Sequence, residues 1–228
     1  MDIQNNLEEI QRRIHEACAR SGREPGEVKL VAVTKNVPVD RIRKAMACGI
    51  RCFGENYVQE ALPKIRALGP DVEWHFIGHL QSNKAKQVVG TFHVIQTVDR
   101  VSLAQEIDRR AARREAVPVL VEVNIAGEQT KSGVAPGELQ NLLDALIQFS
   151  NLAVRGLMTM PPFFEDPEDA RPFFRSLREL RDRFRDRIPP PHCLDDLSMG
   201  MTGDFDVAIE EGATFVRIGT ALFGPRTE

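Results

Sequence analysis

Eight short apolar runs, each followed by a longer helical pattern, constrain the fold of this 228-residue chain more than any other feature. The runs cover residues 28–34, 50–53, 74–77, 94–97, 117–123, 152–157, 194–198 and 215–218. Helical patterns lie between them at 39–47, 57–67, 83–89, 101–112, 136–149, 167–188 and 205–211, with a stub from Thr220. The runs are apolar throughout rather than alternating, which predicts strands buried on both faces, as in a parallel sheet covered by helices. Eight such units in a chain of roughly this length suit a closed barrel. An open doubly wound sheet is the alternative, because periodicity does not report closure, but no Gly-x-Gly-x-x-Gly follows the first run. Ahead of all eight units, Ile3, Leu7, Ile10, Ile14 and Ala17 recur at steps of three and four and predict an amphipathic helix ending near Ser21-Gly22. No low-complexity tract, short-period repeat or linker divides the chain. The expected fold class is therefore α/β, a single (β/α)8 TIM-type barrel over residues 1–228 with an extra N-terminal helix.

Composition excludes several kinds of partner. A net charge of -3 and a pI near 6.0 give no overall attraction to nucleic acid or to an anionic membrane. Seven arginines between Arg171 and Arg187 look basic, yet Glu179, Asp182 and Asp186 interleave them and Phe174, Leu177, Leu180 and Phe184 form an apolar stripe. That pattern predicts a solvated outer helix. Cys18, Cys48, Cys52 and Cys193 form no C-x-x-C pair and have no histidine at zinc-ligand spacing, so no metal and no disulfide is expected. The first residues lack a signal-peptide pattern and no apolar run is long enough to span a bilayer, which makes a cytoplasmic location the expectation.

In such a barrel the working residues sit where strands run into the following helices. Lys35, one of seven lysines, ends the run Leu-Val-Ala-Val-Thr-Lys. Partial desolvation there favours the neutral amine, which can attack an aldehyde; a strand-end lysine that merely reaches water is the plain alternative. Ser198-Met199-Gly200-Met201-Thr202-Gly203 follows the seventh run, and Gly219-Thr220 ends the eighth. Glycines and hydroxyls in these turns expose backbone N–H groups that can cradle a phosphate, although tight turns need glycine in any case. An amine and a phosphate cradle across one barrel mouth suggest a phosphorylated aldehyde.

Several long motifs, in order along nearly the whole chain, resemble the pyridoxal phosphate homeostasis proteins, whose barrel is similar to the amino-terminal domain of alanine racemase. They are Ala32-Val33-Thr34-Lys35 with Pro38, Gly54-Glu55-Asn56-Tyr57-Val58-Gln59-Glu60, and residues 74–84 (WHFIGHLQSNK). Val123-Asn124 with Glu128 and Lys131-Ser132-Gly133, Gly156-Leu157-Met158, Leu197-Ser198-Met199-Gly200-Met201 and Val216-Arg217-Ile218-Gly219-Thr220 complete them. The resemblance implies that Lys35 holds pyridoxal 5'-phosphate (PLP) as a Schiff base, with Ser198, Gly200, Gly219 and Thr220 around the phosphate. It implies that Arg217 faces the pyridine nitrogen, and that Asn56 and His79 line the cofactor. Arginine does not accept a proton, so it leaves that nitrogen unprotonated and the cofactor a weaker electron sink. Thr202 stands where this family commonly has serine, and the hydroxyl is kept.

The family points to intracellular PLP buffering and delivery, with PLP-dependent apoenzymes as recipients and no catalytic residue required. A racemase or decarboxylase of the same barrel type is the competing reading. A racemase needs a second acid-base group opposite the lysine; in alanine racemases this is a tyrosine on an additional domain of a partner subunit. The sequence ends at Gly224-Pro225-Arg226-Thr227-Glu228 and its only tyrosine is Tyr57, at a helix start. Neither that domain nor robust turnover is therefore expected, and a monomer is the simpler state. An aldolase-like barrel using Lys35 on a phosphorylated sugar remains compatible with the spacing.

Overall fold

The structure is a computed structural model, and it describes residues 2–112, 114–128 and 130–225. Eight strands, β1 (Lys29–Val33), β2 (Cys52–Glu55), β3 (Glu73–Phe76), β4 (Val94–Val98), β5 (Val117–Glu122), β6 (Leu152–Met158), β7 (Asp196–Ser198) and β8 (Phe215–Ile218), pair in chain order. Every pairing is parallel, and β8 returns to β1 with Ala32 beside Ile218, so the sheet closes. Closure was the point periodicity left open, and it excludes the open doubly wound sheet.

The helices are α1 (Ile3–Ser21), α2 (Val39–Ala47), α3 (Val58–Leu68), α4 (Ala85–Val88), α5 (Val101–Ala111), α6 (Leu139–Leu146), α7 (Arg171–Arg185), α8 (Phe205–Glu210) and α9 (Thr220–Phe223). The core is a ring between strands and helices, containing among others Phe53, Trp74, Ile95, Val119 and Phe174. A small second cluster, Val31, Cys52, Leu120, Met158 and Phe215, fills the barrel interior. These follow from strand parity, since alternate residues of a barrel strand face the axis. Higher in the barrel that inner set becomes polar, and the site is built there.

Helix α1 buries the expected stripe, Ile3, Leu7, Ile10, Ile14 and Ala17, with Cys18 beside it. Asp2 caps its first turn by accepting the Gln4 N–H at 3.0 Å, and Gly22 takes the left-handed conformation at its end, φ 67°. The helix covers the barrel where α8 and α9 lie: Arg13 pairs with Asp206 at 2.5 Å, Arg20 with Glu210 at 2.6 Å, and the Asn6 amide donates to the Leu222 carbonyl at 2.9 Å. The arginine-rich segment forms α7, which buries Phe174, Leu177 and Phe184 and holds its arginines in ion pairs such as Arg171–Glu210 at 2.6 Å. Three predicted helices start later than their sequence patterns, because 3-10 turns precede them at Pro167–Ala170, Pro136–Glu138 and Ser82–Lys84. The four cysteines are free thiols, with Cys18 and Cys52 buried. No helix among the described residues is long and apolar enough to cross a membrane.

Candidate functional site

A cleft of about 510 Å³ opens at the carboxyl ends of the strands. Its size is that of a small-molecule or cofactor site. Lys35 enters it from just past β1, Asn56 from just past β2, Arg217 from β8, and Gly219-Thr220 from the turn into α9; Val33, Ile77 and Met158 give it apolar walls. Five of the eight residues read from the sequence thus share one cavity.

Lys35 is half-buried, and its Nζ lies 5.1 Å from the centre of the Tyr57 ring. The one tyrosine therefore sits on the lysine's own side of the mouth. The loop bearing Lys35 is held from behind. Lys64 on α3 is buried, and its Nζ donates to the Thr34 carbonyl at 2.6 Å, to Glu55 Oε1 at 2.7 Å and to Glu60 Oε1 at 2.6 Å. Glu60 Oε1 also accepts the Asn36 N–H at 2.6 Å, and the Thr34 hydroxyl donates to Glu55 Oε1 at 2.6 Å. The backbone on each side of Lys35 is tied to this buried group, so a side chain at the flexible end of a strand acquires a fixed base. Burial pushes the Glu55 carboxyl up, against the pull of Lys64 and the Thr34 hydroxyl.

Arg217 is 5% exposed. It donates from Nη1 to the Ser198 hydroxyl at 2.6 Å and from Nη2 to the Thr159 carbonyl at 2.8 Å. Burial lowers its pKa to about 10, which still leaves a cation at neutral pH. Ser198 lies fully buried beneath the cleft rather than in its wall, and its hydroxyl donates to Gln96 Oε1 at 2.6 Å. Gly200 also lies below the wall. Its carbonyl accepts the Arg217 N–H at 3.0 Å, and its φ of 90° lets the chain turn where a Cβ would sit 2.6 Å from that of Ala208. The chain continues from Gln96 to His75 Nδ1 at 2.6 Å, from His75 Nε2 to Glu73 at 2.7 Å, and from Glu73 to Lys29 at 2.5 Å. Since Gln96 uses its oxygen for Ser198, its NH2 faces Nδ1, and His75 is the neutral tautomer protonated on Nε2. Burial holds the His75 pKa down in agreement with this. Cys52 lies within 4.8 Å of the Glu73 and His75 ligand atoms at the far end of the barrel.

His79 is exposed at the rim, outside the main cleft, with Nδ1 2.8 Å from the Ser132 hydroxyl. It lines a smaller adjoining cavity with Glu122, Lys131 and Ser132. Glu122 closes β5 and is 5% exposed, and burial, with the nearby Asp99 charge, raises its pKa to about 7 against the pull of Arg217. A carboxyl that keeps its proton longer in the native than in the unfolded chain makes stability fall as pH rises through that window. We expect stability to decline from pH 4.5 to about 7 by roughly 3 kcal/mol through this group and to level off above; urea unfolding of Glu122→Gln across that range should show the component removed. An unchanged slope in the variant would assign it elsewhere.

Gly78 has no room for a side chain, since a Cβ there would lie 2.1 Å from the Asn56 carbonyl oxygen. Gly78→Ala must displace backbone at the mouth, at a cost of about 1–3 kcal/mol in urea unfolding. An unaltered midpoint would show that the loops give way freely.

Gln96, Thr159, Glu122 and Lys64 were not among the residues picked out from the sequence. Two carried a signal: Gln96 and Glu122 are polar at axis-facing positions of largely apolar strands. Lys64 carried none, its contacts with Thr34, Glu55 and Glu60 being set by the packing of α3.

Fold and cleft together define a closed (β/α)8 barrel with an amine and a buried guanidinium at its mouth, the class of the alanine racemase amino-terminal domain. The profile of that family, described as alanine racemase, N-terminal domain, matches residues 4–227. The pyridoxal phosphate homeostasis protein of Aquifex aeolicus (strain VF5) is 49% identical, over 99% of this chain and 99% of its own. Two solved structures are close in fold. A protein of Bifidobacterium adolescentis described as unknown superposes with a TM-score of 0.89 at 37% identity, covering 97% of this chain and 94% of that one. PipY of Synechococcus elongatus PCC7942, with PLP bound, has a TM-score of 0.81 at 38% identity, covering 92% of this chain and 100% of that one. The chain belongs to the pyridoxal phosphate homeostasis protein family.

Proposed function

We propose that this protein binds PLP covalently through Lys35 and serves intracellular PLP homeostasis, holding the cofactor and surrendering it to apoenzymes without robust turnover of its own. One observation carries the reading: Lys35, Arg217 and the Gly219-Thr220 turn converge on one cleft in a chain whose relative is named for this role. The cleft fits the group. Its walls beside Lys35 are apolar enough for a pyridine ring. Across from them, the N–H groups of Thr202, Gly203, Gly219 and Thr220 have no backbone or side-chain acceptor among the described residues, and open space surrounds Gly203. Unpaired N–H groups in such turns suit a phosphate.

When bound, PLP would supply a carbonyl carbon that an amine can take up reversibly and an electron-withdrawing ring. Lys35 Nζ is the amine in the cleft and would hold the group through that carbon. Arg217 would face the ring nitrogen as a donor that accepts no proton, and Ser198 and Thr159, with Gln96 behind Ser198, hold the guanidinium in place. Asn56 and Thr220, which line the same cleft, would supply polar contacts to it. The site set is thus Lys35, Asn56, Arg217, Gly219 and Thr220 in the wall, Ser198 and Gly200 beneath it, and His79 at the rim. We place the work in the cytoplasm, on a single 1–228 domain acting as a monomer.

Loading the protein with PLP, mixing it with an apo-aminotransferase and assaying L-alanine racemisation in parallel tests the role. Activation of the acceptor with racemisation at the blank level is the expected result. Racemisation well above the blank would put a racemase in its place.

A further inference from the structure

We propose that the cavity between β3 and β5, bordered by Glu122, is the entry subsite for a small α-amino acid whose amine displaces Lys35 and releases the cofactor; this rests on the covalent reading above. The cavity holds about 230 Å³ and shares Asn56, Ile77 and Met160 with the cofactor cleft, so a molecule lodged there abuts the lysine's side of the mouth. Its two ends differ chemically. Glu122 forms the deep end: it is 5% exposed, and its Oε2 has no hydrogen-bond partner among the described residues. A buried, unpartnered carboxyl is costly, and an ammonium group is the ligand that completes it. The outer end carries Lys131, whose Nζ is 2.7 Å from Glu128, and the His79–Ser132 pair at 2.8 Å. Cationic and hydroxyl donors there suit a carboxylate. An acid inside and donors outside is the arrangement a zwitterion fills, whereas a sugar phosphate would place no cation against Glu122.

The chemistry balances without an oxidant or reductant. The incoming ammonium gives one proton to the Glu122 carboxylate and becomes a nucleophile. Its nitrogen then forms the bond to the carbon held by Lys35, the bond from that carbon to Nζ breaks, and the two remaining N–H hydrogens end on the departing lysine amine. The buried carboxyl titrates near neutrality, which lets it take this proton and return it.

The test uses PLP-loaded protein and follows loss of the bound visible band, per adduct formed, against the concentration of L-alanine and of ethylamine. The expected result is a release rate that saturates with alanine and rises linearly, without saturation, with ethylamine, which lacks the carboxylate. Glu122→Gln is expected to raise the half-saturating alanine concentration at least tenfold or to remove saturation. Linear dependence on both amines in the natural protein, or saturation unaltered in Glu122→Gln, overturns the subsite. Failure of the natural protein to form any adduct would instead overturn the covalent reading, so the two outcomes are distinct.

Discussion

Lys35→Ala is expected to abolish the borohydride-reducible adduct completely while leaving the fold intact. Among the described residues that line the main cleft, Lys35 is the only lysine, and Lys131 lies in the adjoining cavity. The Nζ of Lys35 rests on the Tyr57 ring and is half-exposed, so truncation removes one cation–π contact and no buried hydrogen bond. Such a change falls within about 0.5 kcal/mol of the natural stability. The turns at Thr202-Gly203 and Gly219-Thr220 keep the N–H groups that find no acceptor among the described residues, so weak, non-covalent binding through the phosphate should persist and be washed out by gel filtration. Difference spectra with added PLP, followed by reduction and intact mass, check this. An adduct of undiminished yield in the variant would remove Lys35 from its role.

Lys64→Met carries the largest expected loss of stability. Among the described residues its ammonium is the only cation paired with Glu55, which is fully buried and has one carboxylate oxygen without a partner there. Removing one member of a buried ion pair strands the other and typically costs about 3–5 kcal/mol. The Thr34 carbonyl loses a donor at the same time, and Glu60 loses the neighbour that holds it against the Asn36 N–H. Both backbone anchors of Lys35 are affected, so the adduct should form more slowly even where the variant is folded. Adding Glu55→Gln, which removes the stranded charge, should recover a substantial part of the loss. Urea denaturation of the single and double variants measures this directly, and a loss below 1 kcal/mol for Lys64→Met would show that the buried group is not bearing the loop.

The fold was legible because its signals are local. A strand buried on both faces is apolar at every position, and each helix shows its stripe within a dozen residues; the α1 stripe and its Gly22 stop illustrate both ends of a helix written plainly. Helix starts were less legible where a proline opens a 3-10 turn, as at Pro136 and Pro167, since the same residues suit either helix type. Lys35, Asn56, Arg217, Gly219 and Thr220 were legible because strand ends in a barrel share one face. Ser198 shows the limit. Its place at the end of β7 suggests a phosphate contact, yet its hydroxyl is engaged by Arg217 and by Gln96, 102 residues away in the chain. No local pattern encodes such a partner. The support of Lys35 by Lys64 has the same character, joining positions 30 apart through the packing of α3 on β1 and β2.

Borohydride reduction of the PLP-treated natural protein, followed by peptide mapping, tests the linkage to Lys35 directly. The expected result is a visible band that disappears on reduction and a single pyridoxyl group on the peptide containing Lys35. A protein that gains no band, or a label found on Lys131 or Lys64 instead, would contradict it.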